Sequence, residues 1–187
     1  MDLARARDEV AIHPGLFSAA TGADLDAGGF PLTLALLEAG SDDLHALVKD
    51  LKHRFERVRP FAADGRISPG VPAPHGFSYP SGHASWGALE AALLARLAPA
   101  RREAILERGR QVGNDRALGG VHYPTDVEAG QRLGAAWAEA WLRDPDRRRQ
   151  LEEARAAEWP QASEGRAVPP GKDATVPSWT PGRRGDW

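Results

Sequence analysis

Apolar residues in this chain recur at three- and four-residue intervals, and nowhere do they alternate with polar ones over the length of a strand. Leu44, Leu47, Val48, Leu51, Phe55 and Val58 form the clearest series, and that spacing lines one face of an α-helix. With no alternating run and no internal repeat, the expected architecture is all-α, a compact helical bundle. A chain of 187 residues has room for one such domain with a sizeable core.

Proline, glycine and capping residues divide the bundle. A weak helix is expected over 2–12, then a loop through "HPGLFSAATGADLDAGGF", where glycines accumulate. A short helix follows Pro31, and Ser41 suits the N-cap of a longer one that Pro60 stops or kinks. Residues 61–80, with Pro69, Pro72, Pro74 and Pro80, read as loop. Helices are expected again over 81–97, 100–118 and 124–143, and Asp144 with Pro145 caps and opens a last one ending near Trp159. The helical domain is therefore placed at 1–159, and the Pro- and Gly-rich end, 160–187, is read as a mobile tail. Trp137 and Trp141, one turn apart, suit either the core or a contact between subunits, so a homo-oligomer stays open.

Composition removes several functions. Lysine and arginine number 24 against 26 aspartates and glutamates, so no global basic field favours nucleic acid or an anionic membrane surface. The absence of cysteine excludes disulfides, thiolate metal sites and a cysteine nucleophile. Charged residues interrupt every apolar window that approaches a membrane span, and "MDLARARDEV" lacks the apolar core of a signal peptide. A soluble chain with no membrane insertion is expected.

The remaining signal lies in three polar clusters. Lys52 and Arg59 are seven residues apart on the long helix, two turns, and would project from one face toward one spot; taken alone such a pair is more often a solvated face, and Glu56 could pair with either. In "SYPSGHAS", Ser81 precedes a helical run as an N-cap, leaving backbone N–H groups free to meet an anion. Gly82 allows close approach and His83 can titrate near neutrality. In "DRALGGVHYPTD", His122 and Asp126 straddle a helix start, where a hydrogen bond fixes the imidazole tautomer and leaves the other ring nitrogen as base or nucleophile.

With Arg116, the clusters supply three cations, a helix N-terminus and two histidines, one of them with a carboxylate partner. Such a set suits binding a tetrahedral oxyanion, attacking it with one histidine and protonating the leaving oxygen with the other. A metal is disfavoured among guanidinium groups, and nucleic-acid binding lacks interleaved aromatics.

"KHRFERVRP", "PSGH" and "RALGGVHYPTD" resemble the three-part signature, Lys-x6-Arg-Pro, Pro-Ser-Gly-His and Ser-Arg-x5-His-x3-Asp, of the type 2 phosphatidic acid phosphatase and vanadium haloperoxidase superfamily. Within it, "SYPSGHAS", "LAPARREAILERGRQVG" and "DRALGGVHYPTDVEAG" are similar to class A bacterial nonspecific acid phosphatases, over roughly residues 11–159. The resemblance implies a metal-free hydrolase, without cofactor, acting on small phosphate monoesters. It also implies that His122 becomes phosphorylated, Asp126 orients it and His83 is the general acid. Lys52, Arg59, Arg116, the Ser81 hydroxyl and the Gly82 N–H would hold phosphate. A haloperoxidase holding vanadate at His122 and a non-catalytic phosphate-binding remnant are the rival readings.

Asp115 stands where the motif has serine. It either pairs with Lys52 or Arg59 or impairs phosphate binding. The family usually carries a signal peptide, implying a periplasmic or secreted protein, whereas this N-terminus fits a trimmed chain or a shortened cytoplasmic member.

Overall fold

The computed structural model describes residues 3–160, and among them the regular structure is helical. The elements are α1 (Leu3–Asp8), α2 (Ser18–Thr21), α3 (Pro31–Phe55), α4 (Pro60–Ala63), α5 (Gly82–Leu97), α6 (Arg102–Leu118), α7 (Pro124–Trp141) and α8 (Pro145–Glu158), with 3-10 turns at Pro14–Phe17 and Pro99–Arg101. Among these residues, no helix is long and apolar enough to cross a membrane. The expected tail, beyond residue 160, lies outside the described residues.

Helix α5 is the centre of the bundle because it is apolar on nearly every side: Trp86, Leu89, Leu93, Leu94 and Leu97 are all buried. It packs against α6, α7 and α3. Contact with α7 is close enough that a methyl group on Gly134 would lie 2.0 Å from the Ser85 carbonyl oxygen. Real Cβ atoms cannot approach backbone so closely, so glycine there sets the α5–α7 spacing.

The end of α8 closes on the start of α3. Glu158, the last residue of α8, accepts hydrogen bonds from the Leu32 and Thr33 N–H groups at 2.6 and 2.8 Å, satisfying donors that open every helix. The Trp159 indole N–H donates to Thr33 Oγ1 at 2.8 Å, and its ring packs on Phe30. Trp141 belongs to the core and gives its N–H to Asp43, while Trp137 packs against that core.

Three expectations need correction. The segment from Pro31 is one helix of 25 residues, not a short one followed by another capped at Ser41. Ser41 lies inside it, and its hydroxyl donates to Glu90 Oε1 at 2.8 Å across the core. The same helix stops at Phe55, where Glu56 adopts a left-handed φ of 45°, so it never reaches Val58 or Pro60. The segments read as loop also contain α2, α4 and a 3-10 turn.

Two predictions follow from packing. Gly134→Ala forces α7 away from α5 and should lower the unfolding free energy by roughly 1–3 kcal/mol in urea titrations. Burial pushes the Glu90 carboxyl up to about 8 against an ordinary 4.5, the Ser41 bond only partly opposing it. Between those values the folded chain holds a proton that the unfolded chain has released, so stability falls as pH rises. Glu90→Gln removes that slope and should gain on the parent by about 1 kcal/mol per pH unit from pH 5 to 7.5.

Candidate active site

The end of α3, the 57–59 segment, the 75–83 loop and the starts of α5 and α7 converge beside the C-terminus of α6. Helix α7 begins at Pro124, whose missing N–H costs nothing in a first turn. Asp126, two residues on, turns its carboxylate back to accept the Tyr123 N–H at 2.8 Å. Wholly buried, Asp126 also accepts the Ser78 hydroxyl on Oδ2 and Arg57 Nη1 on Oδ1, the latter at 2.7 Å.

His122 Nδ1 lies 3.3 Å from Asp126 Oδ2 and 3.4 Å from Ser78 Oγ, while its Nε2 lies 3.2 Å from Arg59 Nη1. A guanidinium can only donate. Nε2 therefore carries the lone pair, and the proton sits on Nδ1 toward Asp126. This arrangement leaves an unprotonated nitrogen facing a cation.

Arg59 itself is 4% exposed and donates to the carbonyls of Gly76, Val121 and His75. Lys52 Nζ donates to the Phe77 carbonyl at 2.9 Å. The two cations do share one region, but through the turn at Glu56 and an extended strand of backbone, not along one helical face. Arg116 is 3% exposed, donates through Nη2 to the Ala6 carbonyl, and keeps a buried Nε–H with no partner among the described residues. Ser81 caps α5, its Oγ accepting the Ala84 N–H at 3.4 Å. Gly82 is buried in the first turn.

Asp115 pairs with neither Lys52 nor Arg59. It turns to α1, where the Arg5 fork reaches its two oxygens at 2.7 and 2.9 Å. His83 also reaches the N-terminal segment, with Nε2 at 3.2 and 3.3 Å from the Glu9 and Val10 carbonyls.

Burial, with neighbouring cations second, sets the titration of the site. Burial, then the charges of Arg59 and Lys52, hold His122 down at about 4 despite its bond to Asp126. Burial, with Arg116 and His122, takes His83 to about 3, and burial with Arg59 takes Lys52 to about 7. Burial alone would raise Asp126, but hydrogen bonds from His122, Ser78 and Tyr123 outweigh it and hold the carboxyl below its ordinary range. Among the described residues no three His, Asp or Glu side chains stand together as metal ligands. The chemistry open to such a cluster is that of an anion held beside a neutral imidazole.

Sequence reasoning passed over Ser78 and Arg57. Ser78 opens the quoted "SYPSGHAS", and Arg57 lies two residues before Arg59. Their only available signal was proximity to those motifs, since each acts on a carboxylate far along the chain.

The profile of the PAP2 superfamily matches residues 30–150, which hold Lys52, Arg59, Ser81, Gly82, His83, Arg116, His122 and Asp126. The chain belongs to this superfamily. A non-specific acid phosphatase of Providencia stuartii is 30% identical over 164 residues, 73% of this chain and 64% of that protein. An acid phosphatase of Zymomonas mobilis subsp. mobilis is 31% identical over 143 residues, 74% of this chain and 54% of that protein. A non-specific acid phosphatase of Salmonella typhimurium is 41% identical, but over 58 residues, 31% of this chain and 23% of its own length. The chain thus spans less than two thirds of each of these relatives.

A tetrahedral anion seated beside Lys52, Arg59 and Arg116 would offset the positive charge that acts on both imidazoles. Orthophosphate used as a probe should therefore move the imidazole pKa values of His83 and His122 upward in NMR titrations. Unchanged titrations at saturating phosphate would mean that the anion settles elsewhere.

Proposed function

We propose that this chain hydrolyses phosphate monoesters in the acid range, without a metal, through a phosphohistidine at His122. The observation that carries the reading is the Arg59 N–H aimed at His122 Nε2, which puts the lone pair where an anion would be held. The names of the relatives support the acid phosphatase part of this reading.

Lys52, Arg59, Arg116, the Ser81 hydroxyl and the Gly82 N–H hold the non-bridging oxygens, and the unpartnered Nε–H of Arg116 gives a buried donor to that set. His122 Nε2 attacks phosphorus as the bond from phosphorus to the ester oxygen breaks; His83, drawn into its doubly protonated form by the bound phosphate, gives that oxygen its Nδ1 proton and the alcohol leaves. Asp126, holding the Nδ1 proton, stabilises the positive charge that develops on the ring. In the second half, His83 takes a proton from water as the water oxygen attacks phosphorus. The P–N bond breaks, releasing orthophosphate and restoring the Nε2 lone pair. An alcohol in place of water gives phosphoryl transfer by the same route.

Crowded cations also oppose a divalent ion at this position, which is the physical argument for metal independence. The neutral state of His122 down to about pH 4 keeps the nucleophile available in acid. Lys52, titrating near 7, loses its charge above that pH and weakens the hold on phosphate.

The test is release of phosphate from an aryl phosphate with chelator present. His83→Ala should lose roughly 10²–10⁴-fold in kcat, and His122→Ala should fall to background and lose acid-labile incorporation of labelled phosphate. Inhibition by orthophosphate should weaken about tenfold per pH unit above 7, and Lys52→Arg should push that limit upward. An active His122→Ala protein, or a strict metal requirement, would overturn the mechanism.

A further inference from the structure

Two of the groups assigned to phosphate chemistry are anchored on the far side by the same short segment. Arg116 Nη2 donates to the carbonyl of Ala6, and His83 Nε2 faces the carbonyls of Glu9 and Val10. Carbonyl oxygens only accept, so Nε2 of His83 carries a hydrogen, and in the neutral ring the lone pair is on Nδ1.

The segment supplying these carbonyls is fixed at several points. Arg5 grips Asp115 with two hydrogen bonds, and the buried Glu9 carboxylate pairs with Arg108. Arg7 Nε donates to the Gly70 carbonyl at 2.8 Å. Ala6 is buried with Val71 and Val121 in a small apolar cluster against which Leu3 and Phe61 pack. Asp115 and Arg116 are neighbours on α6, so the turn of helix that presents Arg116 to the site also presents Asp115 to Arg5.

We propose that the 3–10 segment, latched by the Arg5–Asp115 pair, is a positioning element for the reaction. Through backbone carbonyls it aims the Arg116 guanidinium and keeps the Nε2 hydrogen of His83 in place, so that Nδ1, protonated when the substrate's phosphate is bound, is the nitrogen that passes a proton to the leaving oxygen and later takes one from water. The latch has a second effect, on charge. Asp115 lies beside a phosphate-binding arginine, and its carboxylate is compatible with anion binding because Arg5, which also lies 3.7 Å from the Glu9 carboxylate, neutralises it while Arg108 takes Glu9. Without Arg5, that carboxylate would be buried, unpaired by the fork, and adjacent to Arg116. This deepens the phosphohistidine reading and rests on it for the roles of His83 and Arg116, but the ring tautomer can be measured without turnover.

The experiment compares the full chain with Arg5→Ala, Arg5→Lys and the double variant Arg5→Ala/Asp115→Ser, using ¹⁵N-imidazole NMR, orthophosphate inhibition and aryl phosphate kinetics. Thermal melts report the folded fraction, and Arg66→Ala, at an exposed pair with Asp64, serves as control. The parent's neutral His83 should show the Nε2–H tautomer, and Arg5→Ala should shift it toward a mixture. Its kcat per folded molecule should fall about tenfold, the scale expected from a small misplacement of reacting groups, with weaker phosphate inhibition. Arg5→Lys should recover part of both. The double variant should recover phosphate inhibition, because the unpaired carboxylate is gone, while keeping the mixed tautomer.

An Arg5→Ala protein that folds and keeps the parent's tautomer and kcat overturns the proposal, as does a loss of activity matched wholly by loss of folded protein. Should the parent release no phosphate at all, the hydrolase reading fails, and the tautomer shift still decides the role of the latch.

Discussion

The buried carboxylate of Asp126 is the interaction on which the site depends. Four groups from three stretches of chain meet on it: the Arg57 guanidinium, the Ser78 hydroxyl, and the His122 ring with the Tyr123 N–H. Its own backbone carbonyl accepts the Ser81 N–H at 3.0 Å, so the start of α5 is tied to the same residue. An isolated buried carboxylate would be strongly unfavourable, whereas one satisfied from several sides becomes a rigid node. Replacing any one donor would leave the others holding a displaced charge, which is why the surroundings of Asp126 are more constrained than those of the exposed ion pairs on α6 and α8.

Much of this could be read from the sequence, and the residues that could not are instructive. The start of α5 at Gly82 with Ser81 as its cap, the opening of α7 at Pro124 and the Asp144–Pro145 start of α8 follow from local chemistry, and each stands where expected. The end of α3 does not, because Val58 continues the three- and four-residue spacing and nothing local marks Glu56 as left-handed. That early stop is what releases Arg57 and Arg59 to reach across to Asp126 and His122. Ser41 misled for a related reason: its hydroxyl found a partner in the core, Glu90, on a helix 49 residues away.

Asp115 and α1 show a different limit. The partner of Asp115 is 110 residues distant, so its environment is settled by tertiary structure alone. The contacts that α1 makes to Arg116 and His83 run through main-chain carbonyls, which every residue type supplies equally. Motif spacing pointed to candidate side chains, while their orientation is governed by groups that leave no trace in composition.

The clustered cations have a consequence for the fold as a whole. Lys52 and Arg59 are held in one region by backbone carbonyls, Arg59 opposing the charge on Lys52, and Arg116 keeps a buried Nε–H with no partner among the described residues. Such a region carries free energy that an apolar core would not, and it lies where the ends of α3 and α6 meet α5 and α7. The bundle's closure at Glu158 and Trp159 sits at the opposite end of α3, a helix of 25 residues and hence roughly 37 Å long. Closure and charge are thus separated along one rod: one end of α3 seals the bundle against α8, and the other carries a cation of the candidate site.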